Sequence, residues 1–297
     1  MSKFLLAILG LVAATLWLAI LAVPNSNNLK IIACDVGQGD AILLTQKNTQ
    51  ILIDGGRGAS VTHCLSSHIP FWDRNIELVV LSHPQADHYE GLIEVFRSYN
   101  VEAFLGSELD NSSQGYQVLL SEMAVSQPQI ITSEKGKQIS IGLIYLDILH
   151  PDTDFIKQNS VSANTVSSGR VLGIRSTDRD LNDFSVVVKV SFKDFDALFT
   201  GDIGPAVSSH IINNHHPDDV EYIKVPHHGS KNGLTEQFLR NFTPEIAVIS
   251  VGKNQWGHPH EEVIRLLNDQ GVKILRTDLD GEVAVETDGQ KWWIKNY

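Results

Sequence analysis

Histidine and aspartate side chains occur in this chain at points where short apolar runs end. The string Ser82-His83-Pro84-Gln85-Ala86-Asp87-His88 directly follows the apolar run Leu78–Leu81. Imidazole nitrogens and carboxylate oxygens are ligands for divalent transition metals such as zinc and manganese. A polar surface loop has the same composition, so this string alone does not decide between a loop and a metal site.

Three later segments repeat the arrangement. One apolar run ends on Asp202, the next ends on His227 and His228, and another is followed by His258. Carboxylates and imidazoles would then come from separate strand ends to one rim, as a metal site with several ligands requires. The set predicts a metal centre, although a structural role stays open for any single histidine.

The adjacent histidines are not expected to act alike, because neighbouring residues of an extended chain point in different directions. We expect His228 to be a direct ligand and His227 to be its hydrogen-bonding partner or a general acid. His258 is expected to be a further ligand or a base that faces the substrate. Asp40 and Asp54 lie beside glycines, where each either accepts a hydrogen bond from a metal-binding imidazole or caps a turn.

A mixed α/β frame is predicted to position these residues. Strands are expected where short β-branched runs are bounded by Gly, Asp and Asn, and helices where apolar residues recur at helical spacing. The predicted strands are Leu29–Cys34, Ala41–Thr45, Ile51–Ile53, Ile76–Leu81, Ile144–Leu149, Ser185–Val190, Ala197–Thr200, Tyr222–Val225, Ile246–Val251 and Lys273–Leu275, and the predicted helices are Leu92–Ser98, Tyr116–Met123, Glu236–Asn241 and Glu261–Gln270. Between them, Asp152–Asp183 is predicted to be a long, functional or disordered loop.

The N-terminal segment differs from the rest of the chain. Phe4–Val23 contains twenty residues without a charge, about the length that a helix needs to cross roughly 30 Å of hydrocarbon. We expect an uncleaved, single-pass membrane anchor, with a cleaved signal peptide and a secreted domain as the alternative. Lys3 on the short flank suggests that the remainder lies outside the cytoplasm. The expected division is an anchor and linker over residues 1–28 and a catalytic domain over 29–297.

Composition limits the classes of function. The 297 residues carry 23 Lys and Arg against 35 Asp and Glu, a formal charge of −12, so no overall basic surface is expected for nucleic acid. Any binding of DNA would have to be local or assisted by metal. Cys34 and Cys64 are compatible with two buried thiols or with one disulfide, and this stays open.

The order of the motifs resembles that of a known family. The metallo-β-lactamase-fold domain of ComEC-type competence proteins has motifs similar to Asp35–Ala41, Ile53–Gly56, His83–Gly91, Phe199–Asp202, Val225–Ser230 and Gly257–Pro259. The resemblance covers about Leu29 to Tyr297. It implies an αββα sandwich, two sheets face to face with helices outside, and a metal site along one sheet edge.

The resemblance also implies roles for the ligands. The superfamily pattern His-x-His-x-Asp-His would place His83 in a first metal position and Asp87 with His88 in a second, with Asp202 as the bridge. His228 would complete the second position. A divalent ion, zinc or manganese, would then act with Asp87, His227 and His258 in catalysis.

The first metal position departs from the superfamily pattern. Gln85 stands where the second histidine of the pattern is usual. Many members have a lone histidine about twenty residues before the Gly-Asp motif, where this chain has Asn182, Asp183 and Ser185. Occupancy by one metal ion and by two therefore both stay open.

Hydrolysis is the activity that the resemblance implies. The substrate would be an extracytoplasmic phosphodiester, with single-stranded DNA as one candidate if the protein takes part in DNA uptake. Two alternatives stay open: an esterase that acts on a component of the cell envelope, and a non-catalytic binding module that keeps the fold without a competent first metal position.

Overall fold

The structure is a computed structural model that describes residues 3–22, 27–162, 175–215 and 217–295. Its strands, in chain order, are β1 (Leu29–Ala33), β2 (Ile42–Gln46), β3 (Thr49–Ile53), β4 (Asn75–Val80), β5 (Asn100–Gly106), β6 (Gln129–Thr132), β7 (Gln138–Ile141), β8 (Ile144–His150), β9 (Val161–Ser162), β10 (Arg175–Ser176), β11 (Val187–Phe192), β12 (Phe195–Phe199), β13 (Tyr222–Lys224), β14 (Ile246–Ile249), β15 (Lys273–Arg276), β16 (Val283–Thr287) and β17 (Trp292–Lys295). The helices are α1 (Lys3–Ala22), α2 (Ser60–His68), α3 (Ala86–Ser98), α4 (Gln114–Ser126), α5 (Thr153–Asn159), α6 (Pro205–Asn214), α7 (Glu236–Phe242), α8 (Glu261–Asp269) and α9 (Thr277–Asp280).

Most of the strands form two mixed sheets. The first sheet has the order β17-β16-β1-β2-β3-β4-β5-β6, and the second has the order β15-β14-β13-β12-β11-β8-β7. Each sheet changes from antiparallel to parallel pairing within its order: β3, β4 and β5 run parallel in the first sheet, and β12, β13, β14 and β15 run parallel in the second. The carboxyl ends of these parallel strands form the edge that carries the predicted ligands.

Three apolar layers hold the sheets and helices together. Side chains alternate between the two faces of a strand, so in β1 Ile31 faces the space between the sheets while Ile32 packs with residues of α2, α3 and α4. The second sheet alternates likewise, and Ile223 packs on the outer side against Val207 of α6 and Phe238 of α7. The order of layers is helix, sheet, sheet, helix, which confirms the predicted αββα sandwich.

The predicted membrane anchor is not supported. A helix does form at the N-terminus, over Lys3–Ala22. Among the residues that the structure describes, however, none of the helices combines the length and the apolar character that crossing a bilayer requires. The division of the chain at residues 28 and 29 stays a prediction.

The segment predicted as a loop contains more regular structure than expected. Within Asp152–Asp183 the structure forms α5, the short ribbon of β9 and β10, and a 3₁₀ turn at Leu181–Phe184. Asp152 caps α5 by accepting a hydrogen bond from the Phe155 amide at 2.7 Å. Such a cap outweighs the weak apolar periodicity that suggested a loop. The middle of the segment, residues 163–174, lies outside the described residues.

The two cysteines form a disulfide. Cys34 follows β1, Cys64 lies in α2, and their sulfur atoms are bonded. The bond connects the strand that precedes the motif Asp35–Ala41 to the helix that covers the first sheet. Of the two alternatives that the sequence leaves open, the structure therefore has the disulfide.

Candidate metal centre

The predicted ligands lie together at one edge of the sandwich, between the two sheets. His83 follows β4 and His88 lies in the first turn of α3, while Asp202 follows β12 and His228 follows β13. Because the carboxyl ends of parallel strands meet at one edge, these separate segments converge there. All four side chains are buried.

Four overlapping groups of possible ligand atoms from the described residues lie at this edge, and two of them consist of predicted ligands alone, without Asp40 or Asp54. His83, His88 and Asp202 form one group, and Asp87, His88 and His228 form another, with the ligand atoms in each group within 4.8 Å of one another. Asp202 Oδ2 also lies 3.2 Å from His228 Nε2 and 3.4 Å from His88 Nε2, and Asp87 Oδ2 lies 3.6 Å from His228 Nε2. Two ligands that are each about 2.1 Å from a tetrahedral metal are roughly 3.4 Å apart, so these spacings suit one ion.

The hydrogen bonds of the imidazoles leave one nitrogen of each ring facing this space. His88 Nδ1 donates to Asp54 Oδ2 at 2.8 Å, and His228 Nδ1 donates to the Ser250 carbonyl at 2.9 Å. Within the part of the chain that the structure describes, the Nε2 atoms of His83, His88 and His228 are buried and make no hydrogen bond, because the Asp202 contacts of His88 and His228 are ion-pair contacts without hydrogen-bond geometry. Buried polar atoms without a partner are rare in folded proteins, and an outer carboxylate or carbonyl on the other nitrogen is typical of metal-binding histidines. The residues present therefore fit a divalent ion.

His83 is oriented by a serine. Ser82 Oγ donates its one hydrogen to Asp54 Oδ2 at 2.7 Å, so toward His83 Nδ1, at 3.0 Å, it acts as the acceptor. The proton of the neutral His83 ring is then on Nδ1, which leaves the lone pair of Nε2 available in the group with His88 and Asp202. Asp54 thus orients two imidazoles, one directly and one through Ser82. Of the two roles that the sequence leaves open for Asp54, the structure shows hydrogen bonding to an imidazole.

The pKa values of the two neighbouring histidines shift in opposite directions. Burial lowers the pKa of His83 to about 3, with the charge of His88 acting in the same direction. Burial also opposes the charged form of His88, but the carboxylates of Asp202 and Asp54 outweigh it and raise the pKa of His88 to about 10. The same carboxylates favour any cation at His88 Nε2, whether a proton or a metal ion.

The backbone at the site is left-handed at residues that seldom adopt this conformation. Asp54 has φ 59°, His227 has φ 51° and His228 has φ 53°. For residues with a Cβ atom this conformation costs free energy, and such strain is concentrated at functional sites. Gly39, with φ 137°, lies so close to Asp87 that a Cβ atom would be 2.3 Å from the Asp87 carbonyl oxygen. That close approach lets the motif before β2 contact the ligand segment.

A buried lysine was missed by the sequence reasoning. Lys224, the last residue of β13, is 1% exposed, and its ammonium group contacts the carboxylate of Asp40. It also donates to Asp202 Oδ1 at 3.3 Å and to the Gly201 carbonyl at 3.0 Å. Lys224 and His228 hold the pKa of Asp40 below its ordinary value in spite of burial. The available signal was a lysine in the otherwise apolar strand Tyr222–Val225.

His227 and His258 lie outside the two groups of ligand atoms. Their rings contact each other, with centroids 5.6 Å apart, and His258 also stacks on the exposed Trp256 ring at 6.2 Å. Burial lowers the pKa of His227, and burial together with His227 lowers the pKa of His258 to about 4. Both lowered pKa values favour neutral rings near pH 7, and the roles expected for His227 and His258 stay predictions.

The two sides of the site are unequal. The two groups share His88, and Asp202 is available to both because its Oδ2 lies 3.4 Å from His88 Nε2 and 3.2 Å from His228 Nε2. Among the described residues, the Asp87 side adds Asp87 and His228 to this shared pair, whereas the His83 side adds only His83. There the Gln85 amide points away and donates to Asp180 Oδ1 at 3.3 Å. Ser185 stands near the place of the lone histidine, but its Oγ accepts from the Asp202 amide at 3.1 Å and lies 3.4 Å from His83 Nδ1.

Comparison with known proteins points to one superfamily. The family model described as Metallo-beta-lactamase superfamily matches residues 34–253. The chain is 24% identical over 279 residues to "ComE operon protein 3" of Bacillus subtilis, covering 84% of this chain and 32% of that protein. It is 27% identical over 259 residues to "Recombination protein 2" of Haemophilus influenzae, covering 84% and 28%, and 26% identical to "Competence protein ComA" of Neisseria gonorrhoeae, covering 88% and 32%. The predicted resemblance to ComEC-type proteins is confirmed, and this chain spans about a third of the length of these relatives.

Solved structures agree on the fold. The metallo-beta-lactamase fold protein YhfI from Bacillus subtilis aligns over 90% of this chain and 100% of its own, with a TM-score of 0.52 and 8% identity. CmlA from Streptomyces venezuelae, a diiron beta-hydroxylase, aligns over 89% of this chain and 55% of its own, with a TM-score of 0.50 and 14% identity. At these identities the likeness shows the fold alone.

Proposed function

Because this chain belongs to the metallo-β-lactamase superfamily, we propose that it is a metal-dependent hydrolase of phosphodiesters. The observation that carries the proposal is the convergence of unpartnered imidazole nitrogens on buried carboxylates at one sheet edge. Asp87, His88, Asp202 and His228 would hold a zinc or manganese ion. A fold alone does not require so many polar groups at strand ends.

The chain's own residues would divide the work of hydrolysis. A bound divalent cation supplies Lewis acidity, which polarises a phosphoryl oxygen and makes water a stronger nucleophile at neutral pH. Asp87 is the most accessible of the four ligands, with its side chain 18% exposed, so its carboxylate can orient an incoming water. His227 and His258 lie on the outer side, where they can take up a proton or donate a hydrogen bond to the substrate.

The surface beside the site favours a substrate that carries a planar ring. Trp256 is 53% exposed and its ring stacks on His258, next to His227. Aromatic side chains of this kind stack on nucleobases in single strands. Since the chain has a formal charge of −12, such contacts and the metal ion would have to provide the binding that a basic surface provides elsewhere. Single-stranded DNA is therefore one candidate substrate, and DNA uptake is one candidate process.

An extracytoplasmic location is part of the proposal. The disulfide between Cys34 and Cys64 lies in the apolar layer between the first sheet and its helices. Structural disulfides persist in oxidising compartments and are rare in the cytosol. This supports a domain that works outside the cytoplasm.

The test is hydrolysis by the purified full chain. Turnover of bis(p-nitrophenyl) phosphate and of a single-stranded oligonucleotide is expected with manganese or zinc, and EDTA should abolish it. Asp202→Ala should lower both metal content and turnover by orders of magnitude, because it removes a carboxylate whose Oδ2 lies within 3.4 Å of His88 Nε2 and 3.2 Å of His228 Nε2. Asp194→Asn, an exposed aspartate in the turn between β11 and β12, is the matched control and should behave as wild type.

Two results would contradict the proposal. Unchanged metal content and turnover in Asp202→Ala would show that Asp202 is not part of the metal site. Full metal content in the wild type without any hydrolysis would favour the non-catalytic binding module instead. The depleted His83 side is the observation that favours that second function. Faster turnover of p-nitrophenyl acetate than of the phosphodiester would favour an esterase.

A further inference from the structure

Lys224 is a fixed cation within the candidate metal centre. An ammonium group has three hydrogens, and here three acceptors surround it: the Asp40 carboxylate, Asp202 Oδ1 and the Gly201 carbonyl. Lys224 belongs to the second sheet, whereas Asp40 lies just before β2 of the first sheet. The contact therefore crosses the space between the two sheets. It holds the ammonium group of Lys224 in place from both sheets.

This contact divides the two oxygens of Asp202 between different partners. Oδ1 faces Lys224 at 3.3 Å, and Oδ2 faces the Nε2 atoms of His228 and His88 at 3.2 and 3.4 Å. A carboxylate that bridges two metal ions through both oxygens needs one oxygen for each ion. Because the Lys224 ammonium group lies beside Oδ1, a metal ion bound there would be close to a fixed positive charge, and Oδ2 is the oxygen that faces the imidazoles.

The His83 side independently lacks the ligands for an ion of its own. Gln85 is hydrogen-bonded to Asp180, and Ser185 Oγ is held by the Asp202 amide. Among the residues that the structure describes, the group on this side consists of His83 together with His88 and Asp202, which the other group also needs. An ion on this side would compete with the first for both shared ligands.

We propose that the site holds a single divalent ion, bound by Asp87, His88, Asp202 and His228, and that the ammonium group of Lys224 takes the place of a second cation. Lys224 is thus a positioning residue, which holds Asp202 through Oδ1 and compensates the buried carboxylates of Asp40 and Asp202. This inference rests on the proposed metal-dependent function and specifies how many ions that function uses.

The first test is the stoichiometry of manganese in the unmodified full chain. Equilibrium dialysis with elemental analysis gives the number of ions, and electron paramagnetic resonance distinguishes an isolated Mn²⁺ ion, with its six-line spectrum, from a spin-coupled pair. We expect one ion per chain and the uncoupled spectrum. Two coupled ions would overturn the inference and leave the proposed function standing, whereas no bound manganese or zinc would overturn both.

The second test separates the charge of Lys224 from the missing ligand at position 85. Gln85→His restores the usual ligand type but leaves Lys224 on Asp202 Oδ1, so it should still bind one ion. The double variant Gln85→His with Lys224→Met frees Oδ1 as well, and we expect it to bind a second ion that is coupled to the first. Two ions in Gln85→His alone, or one ion in the double variant, would overturn the role given to Lys224.

The Lys224→Met substitution needs a control for folding, and Lys224→Arg is the variant that keeps the charge. Lys224→Met leaves Asp40 and Asp202 without their buried partner, which is destabilising, so its circular dichroism and thermal unfolding are compared with those of wild type. If that variant does not fold, Gln85→His with Lys224→Arg replaces it. It keeps a positive charge between the two carboxylates and should bind one ion, and two coupled ions would overturn the inference.

Discussion

The Asp87 side and the His83 side of the site begin from the same shared pair, His88 and Asp202, and differ in what surrounds it. The Asp87 side adds a carboxylate and an imidazole whose Nδ1 is held by a backbone carbonyl. The His83 side adds one imidazole, while the polar groups at positions 85 and 185 are bonded elsewhere. The difference shows that a polar side chain in a sequence motif can be identified as a metal ligand only when its other hydrogen bonds are known.

The largest effect is expected from a matched pair of ligand deletions. His228→Ala should lower manganese affinity more than about 100-fold, because loss of an outer hydrogen-bonding partner alone costs about 10- to 100-fold. His83→Ala should lower it by less than about tenfold, since His83 does not belong to the group around Asp87. Isothermal titration of both variants with Mn²⁺, with phosphodiester turnover in parallel, measures the ratio. Equal losses of manganese affinity in the two variants would show that the two sides of the site bind metal equally.

A smaller effect is expected one step away from the ligands. Asp54→Asn replaces the charged acceptor of the His88 Nδ1 hydrogen bond and should weaken manganese binding about 10- to 100-fold. Its counterpart on the other side, Ser185→Ala, removes a hydroxyl beside His83 Nδ1 and the Asp202 amide, and should cost less than Asp54→Asn. The same titration checks both variants, and a larger loss in Ser185→Ala would show that the His83 side carries the metal.

The smallest effect on metal binding is expected at His150, which contacts the turn that precedes Ser185. Its Nε2 donates to the Asp183 carbonyl at 2.9 Å and so anchors the turn Leu181–Phe184. Burial lowers the pKa of His150 to about 4. Between that value and the ordinary value of about 6.5 the unfolded chain binds more protons than the folded one, so stability falls as the pH falls from about 6.5 to 4, by about 3 kcal/mol in all.

His150→Gln keeps a donor and removes the titration, so its free energy of unfolding should depend less on pH in this window. Urea unfolding of both proteins at pH 7 and pH 4.5, without metal, gives the difference. Parallel pH profiles for wild type and variant would show that His150 is not the group responsible. Manganese affinity at pH 7 should be close to that of wild type.

Much of the sandwich could be predicted because its central strands are continuous apolar runs. The run Ile76–Leu81 predicts β4 and places His83 at its end, and the same reasoning places Asp202 after β12. β5 was not predicted, because Asn100 and Glu102 interrupt its apolar pattern on the exposed positions. Tertiary pairing with β4 outweighs that local pattern.

The interior of the site could be predicted less well than its rim. Lys224 acquires its role from Asp40, which lies in the loop before β2 of the other sheet, so no local pattern around the lysine indicates the pair. His228 is buried and His227 is half-buried on a backbone that is left-handed at both, and alternation along a strand does not indicate which of the two rings is buried. Gln85 could be recognised as a departure from the motif, but its bond to Asp180 depends on the fold of the segment after residue 174.

The position of the metal ion is the most direct test of the site. Crystals of the protein grown with MnCl₂ would be measured above and below the manganese absorption edge, and the anomalous difference map would locate the ion. We expect one peak per chain, within about 2.3 Å of ligand atoms from Asp87, His88, Asp202 and His228. A peak on the His83 side without contact to Asp87 and His228, or a peak at His227 and His258 instead, would contradict this account of the site.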